Sequence, residues 1–516
     1  MGDRVVSTRD IVRQLEAAKI SQPVPRYSTL HVRLVDNPFM VAFVRMAGES
    51  RPWGIVYGRL NDAAPRVLTA GDGRNREAVA EICEEFGVAL CQYFRAEGHT
   101  FNPITKDNLD TKDLPQIWVP GERHVEMFHH LEYAYWRVRK GDDRTQPLTV
   151  LARLSGWIFR ESGRTGQQQI IDAARALRDA YAFPADTLSL GNLTTAVAWF
   201  KEDGVLPEKR IRVRTAGEQR VSPTLDPGLD KDVLSPLVEQ RADLLKAGKS
   251  LTLVEQKIHD ALGRELMARW NSMVDAYRIL ANDTRAENIG VEKLVKSTMD
   301  KYVVEFQRVE RGMLDSSGDP VFTPHPETDF HGSAAAAGYF RMQAADVAYT
   351  ASLVHDDAEL CAEALASGHA FMAEVTDVWN TGVGRVTIPN WQVKVPIGEI
   401  SRLREGEDYS LVGNPKSKVS VREVEVVDEE HWSVHIEWES PKVRDVSGPI
   451  SAKPLDSSWI GHRLIFVPCD TSALTAKQAQ AVWDAKDGVG AWLTHGRAPV
   501  QVEENVIDDI TQLQDN

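Results

Sequence analysis

The pair His355-Asp356, inside LVHDDAEL at 353–360, is where residue types and spacing first suggest chemistry. A His followed directly by an Asp can hold a divalent ion. With His331 upstream and Asp377 downstream, the order suits a metal-dependent phosphohydrolase or nuclease of the His-Asp type. Such an enzyme places neutral imidazoles and carboxylates around an ion that activates water. The same residues also have a structural reading. Asp356 precedes Glu359 by three residues, at the head of the apolar run Leu360, Ala364 and Phe371. That spacing is a capping box: the Asp accepts from a free N–H of the first turn and the Glu reaches back. His355 then ends the preceding helix, where a cation is mildly favoured. The capping reading accounts for the pair without an ion, so the metal set of His331, His355, Asp356 and Asp377 stands as the alternative.

Other polar clusters divide the same way. In HVEMFHH, Glu126 and His130 lie four apart on one helix face beside His129. Two ligands can be presented so, but a third must come from elsewhere. The neighbours Phe128, Tyr133, Tyr135 and Trp136 point instead to a packed aromatic helix. His325, Asp329 and His331 cluster in the polar loop HPETDFH. His431 and His435 share a strand face, but at about 13 Å they cannot hold one ion together. Cys83 and Cys91 read as small core residues of an apolar helix. TAGDGRN joins a strand to a helix but lacks the Lys-Ser/Thr of a P-loop. It reads as a tight turn in which Gly71 and Gly73 supply unusual dihedrals. No nucleophile elbow is present.

The one concentrated basic run is EKRIRVRT, with Lys209, Arg210, Arg212 and Arg214. If extended, Arg210, Arg212 and Arg214 share one side and form a row suited to phosphates. The competing reading is a solvated linker or a charged edge strand.

Around these residues the elements follow from periodicity. FMVAFVRM and WGIVYGRL, separated by GESRP, read as a hairpin, with RVLT a third strand. Val79, Ile82, Phe86, Leu90 and Tyr93 then recur at helical spacing. From about 120 to 205 four helices are expected, including one over GQQQIIDAARALRDAY. Apolar residues at 251, 254, 258, 262, 266, 270, 273, 277 and 280 form one stripe, which predicts a long helix against a partner helix. The partner expected is VEKLVKSTMDKYVVEFQRVERGM. Beyond about 377 the period changes to two. In WSVHIEW, Trp432, Val434, Ile436 and Trp438 share a face, and five or six short strands suggest a small barrel.

The expected fold is therefore mixed α+β and multidomain. A small α/β unit (1–115) precedes a helical bundle (116–205) and a basic linker (206–230). A long-helix domain (231–376), a small SH3-like or OB-like β-barrel (377–470) and a short helix with an acidic tail (471–516) complete the chain.

The chain has 516 residues, 42% of them hydrophobic and 26% charged, with a formal charge of −15. That charge argues against broad adhesion to nucleic acid or anionic membrane, although a local basic patch could still meet phosphates. No apolar run is long enough to span a bilayer. The charged start lacks a signal-peptide core. Four cysteines without close pairing fit a reducing cytoplasm.

The segments LARLSGWIFRESGRTGQQQ, ALRDAYAFPAD, NLTTAVAWF, LDKDVLSPLVEQ and AWLTHG resemble a family of uncharacterised actinobacterial proteins. The likeness rests on apolar and turn positions, and the family carries no known activity. It implies a bacterial cytoplasmic setting and supplies no catalytic residues. The sequence thus leads to a non-enzymatic accessory or interaction subunit, nucleic-acid-associated, in DNA transactions or phage defence. Its partner would be another protein such as an ATPase or helicase, and no cofactor is called for. The motivation is the barrel together with Lys209, Arg210, Arg212 and Arg214, since such barrels often bind nucleic acid or peptides.

Overall fold

The computed structural model describes residues 8–98, 115–136, 145–184, 191–286, 291, 351–382, 388–397, 403–440 and 454–469, with isolated positions at 342, 345, 346 and 349. The proposed second long helix, the loop holding His325, Asp329 and His331, and the tail after 470 lie outside the described residues, apart from Val291.

The chain opens with α1 (Thr8–Ile20) and the short β1 (Val24–Pro25). A meander follows of β2 (Phe39–Val44), β3 (Gly54–Arg59) and β4 (Arg66–Thr69), then α2 (Arg76–Gly98). The expected hairpin forms with Val41 opposite Tyr57. Every residue of β2 is buried, which an apolar run covered on both faces requires.

Two strands of this sheet go beyond the expected three, as do the short β1 and its partner Tyr181–Ala182 outside it. β5 (Ile117–Val119) pairs parallel with β2, and β6 (Ile170–Asp172) pairs parallel with β5. The sheet order is β4-β3-β2-β5-β6. Each new strand feeds a helix: α3 (Glu122–Tyr135) follows β5, and α5 (Ala173–Ala180) follows β6. Between them runs α4 (Thr145–Ser162). The helix expected over GQQQIIDAARALRDAY is thus a strand, a short helix and β7 (Tyr181–Ala182), which pairs with β1. A strand of three residues is too short to show a period of two.

The remaining helices are α6 (Leu193–Lys201), α7 (Glu208–Gly217) and α8 (Pro227–Leu229), which runs through a π-turn at Asp230–Leu234 into α9 (Ser235–Lys246). The long helix is α10 (Thr252–Ala281), and it buries Val254, Ile258, Leu262, Leu266, Trp270, Met273, Tyr277 and Leu280 as the stripe requires. Among the described residues it packs on the sheet, at β2, β3 and β4, as well as on α5, α6 and α9. A stripe fixes which face is buried and not what covers it. Close approach is possible because β3 presents two glycines: a Cβ on Gly54 would lie 3.0 Å from Leu266 Cδ1, and one on Gly58 would lie 3.4 Å from Trp270 Cη2. On the opposite face, Phe39 and Phe43 meet Phe86 of α2, and Phe43 also meets Phe128 of α3. One hydrophobic core draws on residues from Leu30 to Leu280, across the positions near 115 and 205 where composition suggested boundaries.

α11 (Ala358–Ala366) leads into a closed six-stranded barrel. Its strands are β8 (Phe371–Asn380), β9 (Pro389–Pro396), β10 (Asp408–Leu411), β11 (Asn414–Val426), β12 (His431–Ser440) and β13 (Arg463–Pro468). The closed order is β10-β11-β12-β9-β8-β13. Val434, Ile436 and Trp438 fill its interior with Trp391, Trp459 and Phe466, as the alternation predicts. No described helix is long and apolar enough to cross a membrane.

Gly71 and Gly73 do not have positive φ. Gly73 is needed for another reason: a Cβ there would fall 2.8 Å from the ring of Trp53, which is 1% exposed. Gly73→Ala should therefore cost about 1–3 kcal/mol by overpacking, as read from urea unfolding. An unchanged midpoint would show that the turn has room.

Candidate functional site

The His-Asp pair is architectural among the described residues. The helix cap is Asp357, one residue later than expected: its Oδ1 accepts from the N–H of Glu359 (3.1 Å) and Leu360 (3.0 Å). Its Oδ2 accepts from the backbone N–H (2.8 Å) and hydroxyl (2.9 Å) of Ser28. Burial opposes the charge, yet the bonds from Leu360 and Ser28 prevail and hold this carboxyl below the usual range. Glu359 does not reach back; it pairs with Arg13 of α1. Asp356 is only partly buried. His355 is buried beside Ser410 of β10, with Nε2 3.1 Å from Oγ. Asp377 is exposed on β8, where its Oδ1 accepts from Val378 N–H at 2.8 Å. His331 lies outside the described residues. Among the described residues no three His, Cys, Asp or Glu side chains are grouped to hold a metal.

On α3, His129 stacks on Phe159 (4.5 Å between centroids), and burial lowers the pKa of His130. Cys83 and Cys91 are buried, and burial pushes the Cys83 thiol up to about 12. In TAGDGRN the start of α2 is closed by Asn75, whose Oδ1 accepts from Glu77 N–H (3.1 Å) and Ala78 N–H (3.3 Å).

The basic run is helical rather than extended, because it forms α7. Its residues therefore separate. Lys209 turns inward and is fully buried, with Nζ 5.7 Å from the centre of the Trp199 ring and its pKa lowered by burial. Arg212 pairs with Glu202 at 3.1 Å. Arg210 and Arg214, four apart on one face, both line a cleft of about 1480 Å³.

This cleft lies at the carboxyl ends of β5 and β6, where α3 and α5 begin. In α/β sheets that edge is the usual place for a ligand. One wall is the segment 218–226, and it is pinned from beneath. The Val221 carbonyl accepts from His124 Nε2 at 2.7 Å. The Ser222 carbonyl accepts from Arg269 Nε (2.9 Å) and Nη2 (2.6 Å). Arg45 of the chain just beyond β2 donates its N–H to Pro223 O at 2.7 Å and accepts from Leu225 N–H at 3.0 Å.

His124 and Arg269 are each 1% exposed. The Nδ1 of His124 accepts from Phe43 N–H at 3.1 Å, so its Nε2 must carry the proton it gives to Val221. That is the neutral tautomer, and burial pushes its pKa down to about 3. Asp172 caps α5 by accepting from Arg175 N–H at 2.9 Å. It is partly buried, and desolvation pushes its pKa up to about 6 against the pull of Arg175 N–H and Arg178.

The cleft carries both signs. Glu122, Asp172, Glu218, Asp226 and Glu265 line it, and so do Arg123, Arg178, Arg210, Arg214 and Arg220. They differ in what they already do. Asp172 and Asp226 cap helices, and Glu265 pairs with Arg269 at 2.8 Å. Arg123, Arg210, Arg214 and Arg220 are exposed, with no hydrogen bond or ion pair among the described residues. Trp199 also lines the cleft; it is 1% exposed, and its indole Nε1 is buried with no hydrogen-bond partner among the described residues.

His124, Asp172, Trp199 and Arg269 escaped the sequence reading. A usable signal existed for two of them: in IWVPGERH and IIDAARAL a short apolar run, Ile117–Val119 or Ile170-Ile171, leads within a few residues into a helix start. Comparison with family models, with curated proteins and with solved structures finds no match to this chain.

Two titrations follow. The folded state favours neutral His124, so its contribution is complete above about pH 6.5 and is lost as the pH falls toward 3. His124→Ala should cost about 1–3 kcal/mol for each backbone group it strands and should remove that acid-side slope in denaturation measured against pH. Asp172 has the opposite sign: its raised pKa makes the fold most stable below about pH 4, and this is lost as the pH rises through 6. Asn caps as well as Asp, so Asp172→Asn should match wild type at low pH and exceed it at neutral pH. A variant weaker at neutral pH would contradict the strained carboxylate.

Proposed function

We propose that the chain is a non-enzymatic accessory subunit that engages nucleic-acid phosphates through this cleft and works with another protein in DNA transactions or phage defence. One observation carries the reading. Four arginines without acidic partners among the described residues line a cleft at the carboxyl ends of two parallel strands. Guanidinium groups suit phosphate because their donors form a planar fork. The protein's charge of −15 makes such contact local: attraction must come from the cleft and not from the molecule's overall field. The partner class, an ATPase or helicase, follows from the accessory reading, since this chain would contribute grip and another chain the catalysis.

The reading predicts that single-stranded DNA binds with an affinity that falls as salt rises. Replacing Arg210 and Arg214 together by Ala should flatten the log–log salt slope by about 0.7 per lost phosphate contact. Arg212, already paired with Glu202, should matter little. Fluorescence anisotropy across a salt series measures this. Binding indifferent to both arginines, or none at low salt, would remove the nucleic-acid reading.

A further inference from the structure

We propose that a proton on Asp172 controls the cleft's hold on phosphate: the ionised side chain opposes the ligand, and the protonated one admits it. This rests on the phosphate-binding reading of the cleft and adds how that site is regulated.

Asp172 ends β6 and stands opposite Val119 of β5 in the parallel pair. It is therefore one strand away from the turn that starts α3, and it lines the cleft together with Glu122, Arg123 and Arg178. Only one of its carboxylate oxygens is engaged. Oδ1 accepts from Arg175 N–H at 2.9 Å and caps α5. Oδ2 takes no hydrogen bond among the described residues, and it is not buried. That oxygen is open to the cleft the residue lines.

Capping does not require the charge. Asn and Ser cap about as well as Asp, and neither meets the cost of drawing a carboxylate away from water. The helix start thus accounts for an acceptor at this position and leaves the ionisable group unexplained.

The surrounding charges set when that group ionises. Burial raises its pKa to about 6 against the pull of Arg175 and Arg178 on α5, and Glu122 on α3 adds to the rise. Arg175 is shared with Asp179 at 3.4 Å, and Arg178 Nε donates to Ala174 O at 3.3 Å. The cleft's remaining walls bring Arg210 and Arg214 of α7, with Glu218 and Arg220 beyond them. Asp226 is tied to a helix start and Glu265 to Arg269. His124 stays neutral down to about pH 3.

A phosphodiester entering this cleft brings a second negative charge to the same arginines. Like charges sharing a site disfavour each other's ionised form. The ligand therefore favours the protonated carboxyl, and by linkage the protonated carboxyl favours the ligand. Protonation also releases Arg178 from the carboxylate and creates an O–H that can donate to a phosphate oxygen. Affinity rises as the pH falls through about 6 and weakens as it climbs back.

The test is fluorescence anisotropy of a thymidine oligonucleotide with hydroxyl ends, bound to the full chain at fixed salt from about pH 8 to about pH 5. Neither its phosphodiesters nor its bases change charge over that range. Wild-type affinity should rise about fivefold toward the acid end, the worth of one unit charge about 4 Å away in water. The midpoint should lie near pH 6. Asp172→Asn should bind at the tight limit throughout. Glu122→Gln should move the midpoint to lower pH, because it removes a charge that favours the protonated form. Calorimetry of the wild type in buffers of different ionisation enthalpy needs no substitution: binding at about pH 7 should take up a fraction of a proton. Affinity independent of pH, a dependence that survives Asp172→Asn, or binding without proton uptake would each overturn the control by Asp172 and leave the cleft reading in place. Failure of the strand to bind at any pH would end both proposals.

Discussion

The imidazole of His124 ties the sheet to the wall beside it. One nitrogen takes the N–H of Phe43 in the central strand, and the other gives its proton to Val221 in the segment 218–226. A neutral imidazole can do both because one ring nitrogen accepts while the other donates. Burial keeps it neutral, and neutrality keeps the two bonds. Arg269 makes the second tie from α10, fully charged in a dry place and satisfied by Ser222 and Glu265. Each partner matters because a buried group left unpaired costs more than the net worth of the bond.

These ties give the cleft its form, and the sheet gives it its place. The meander β4-β3-β2 alone would present no parallel edge. Adding β5 and β6 in parallel brings two helix starts side by side, and α7 closes the side with Arg210 and Arg214. The glycines of β3 let α10 lie close enough for Arg269 and Trp270 to reach their partners. On the proposed reading, function comes from polar groups left over once the architecture is satisfied: four arginines with no acidic partner among the described residues.

What the sequence revealed, it revealed through repetition. The stripe from Val254 to Leu280 and the alternation from Trp432 to Trp438 each repeat often enough to identify a helix and a barrel strand. Ile117–Val119 and Ile170–Asp172 are too short to repeat, so the two strands that create the cleft stayed hidden. EKRIRVRT alternates in charge and reads as a strand, yet Pro207 sets a helix start and Lys209 and Val213, four apart, turn inward together. His355-Asp356 looked chemical because sequence adjacency resembles spatial convergence. In the fold its neighbour Asp357 holds Ser28 and a helix start instead. His124 was passed over in favour of His129 and His130 because its two partners lie 81 and 97 residues away, a distance no local pattern encodes.

The central claim is that the arginines lining the cleft beside His124, unpaired among the described residues, meet the phosphates of its ligand. Nitrogen-15 spectra of the arginine Nε–H groups test it most directly. The signals absent in Arg210→Ala and in Arg214→Ala belong to the cleft. On titration with single-stranded DNA those protons should move downfield as they gain hydrogen bonds, ahead of the signal of Arg212, which is already paired with Glu202. A bound strand that shifts other signals and leaves these two unmoved would contradict the account.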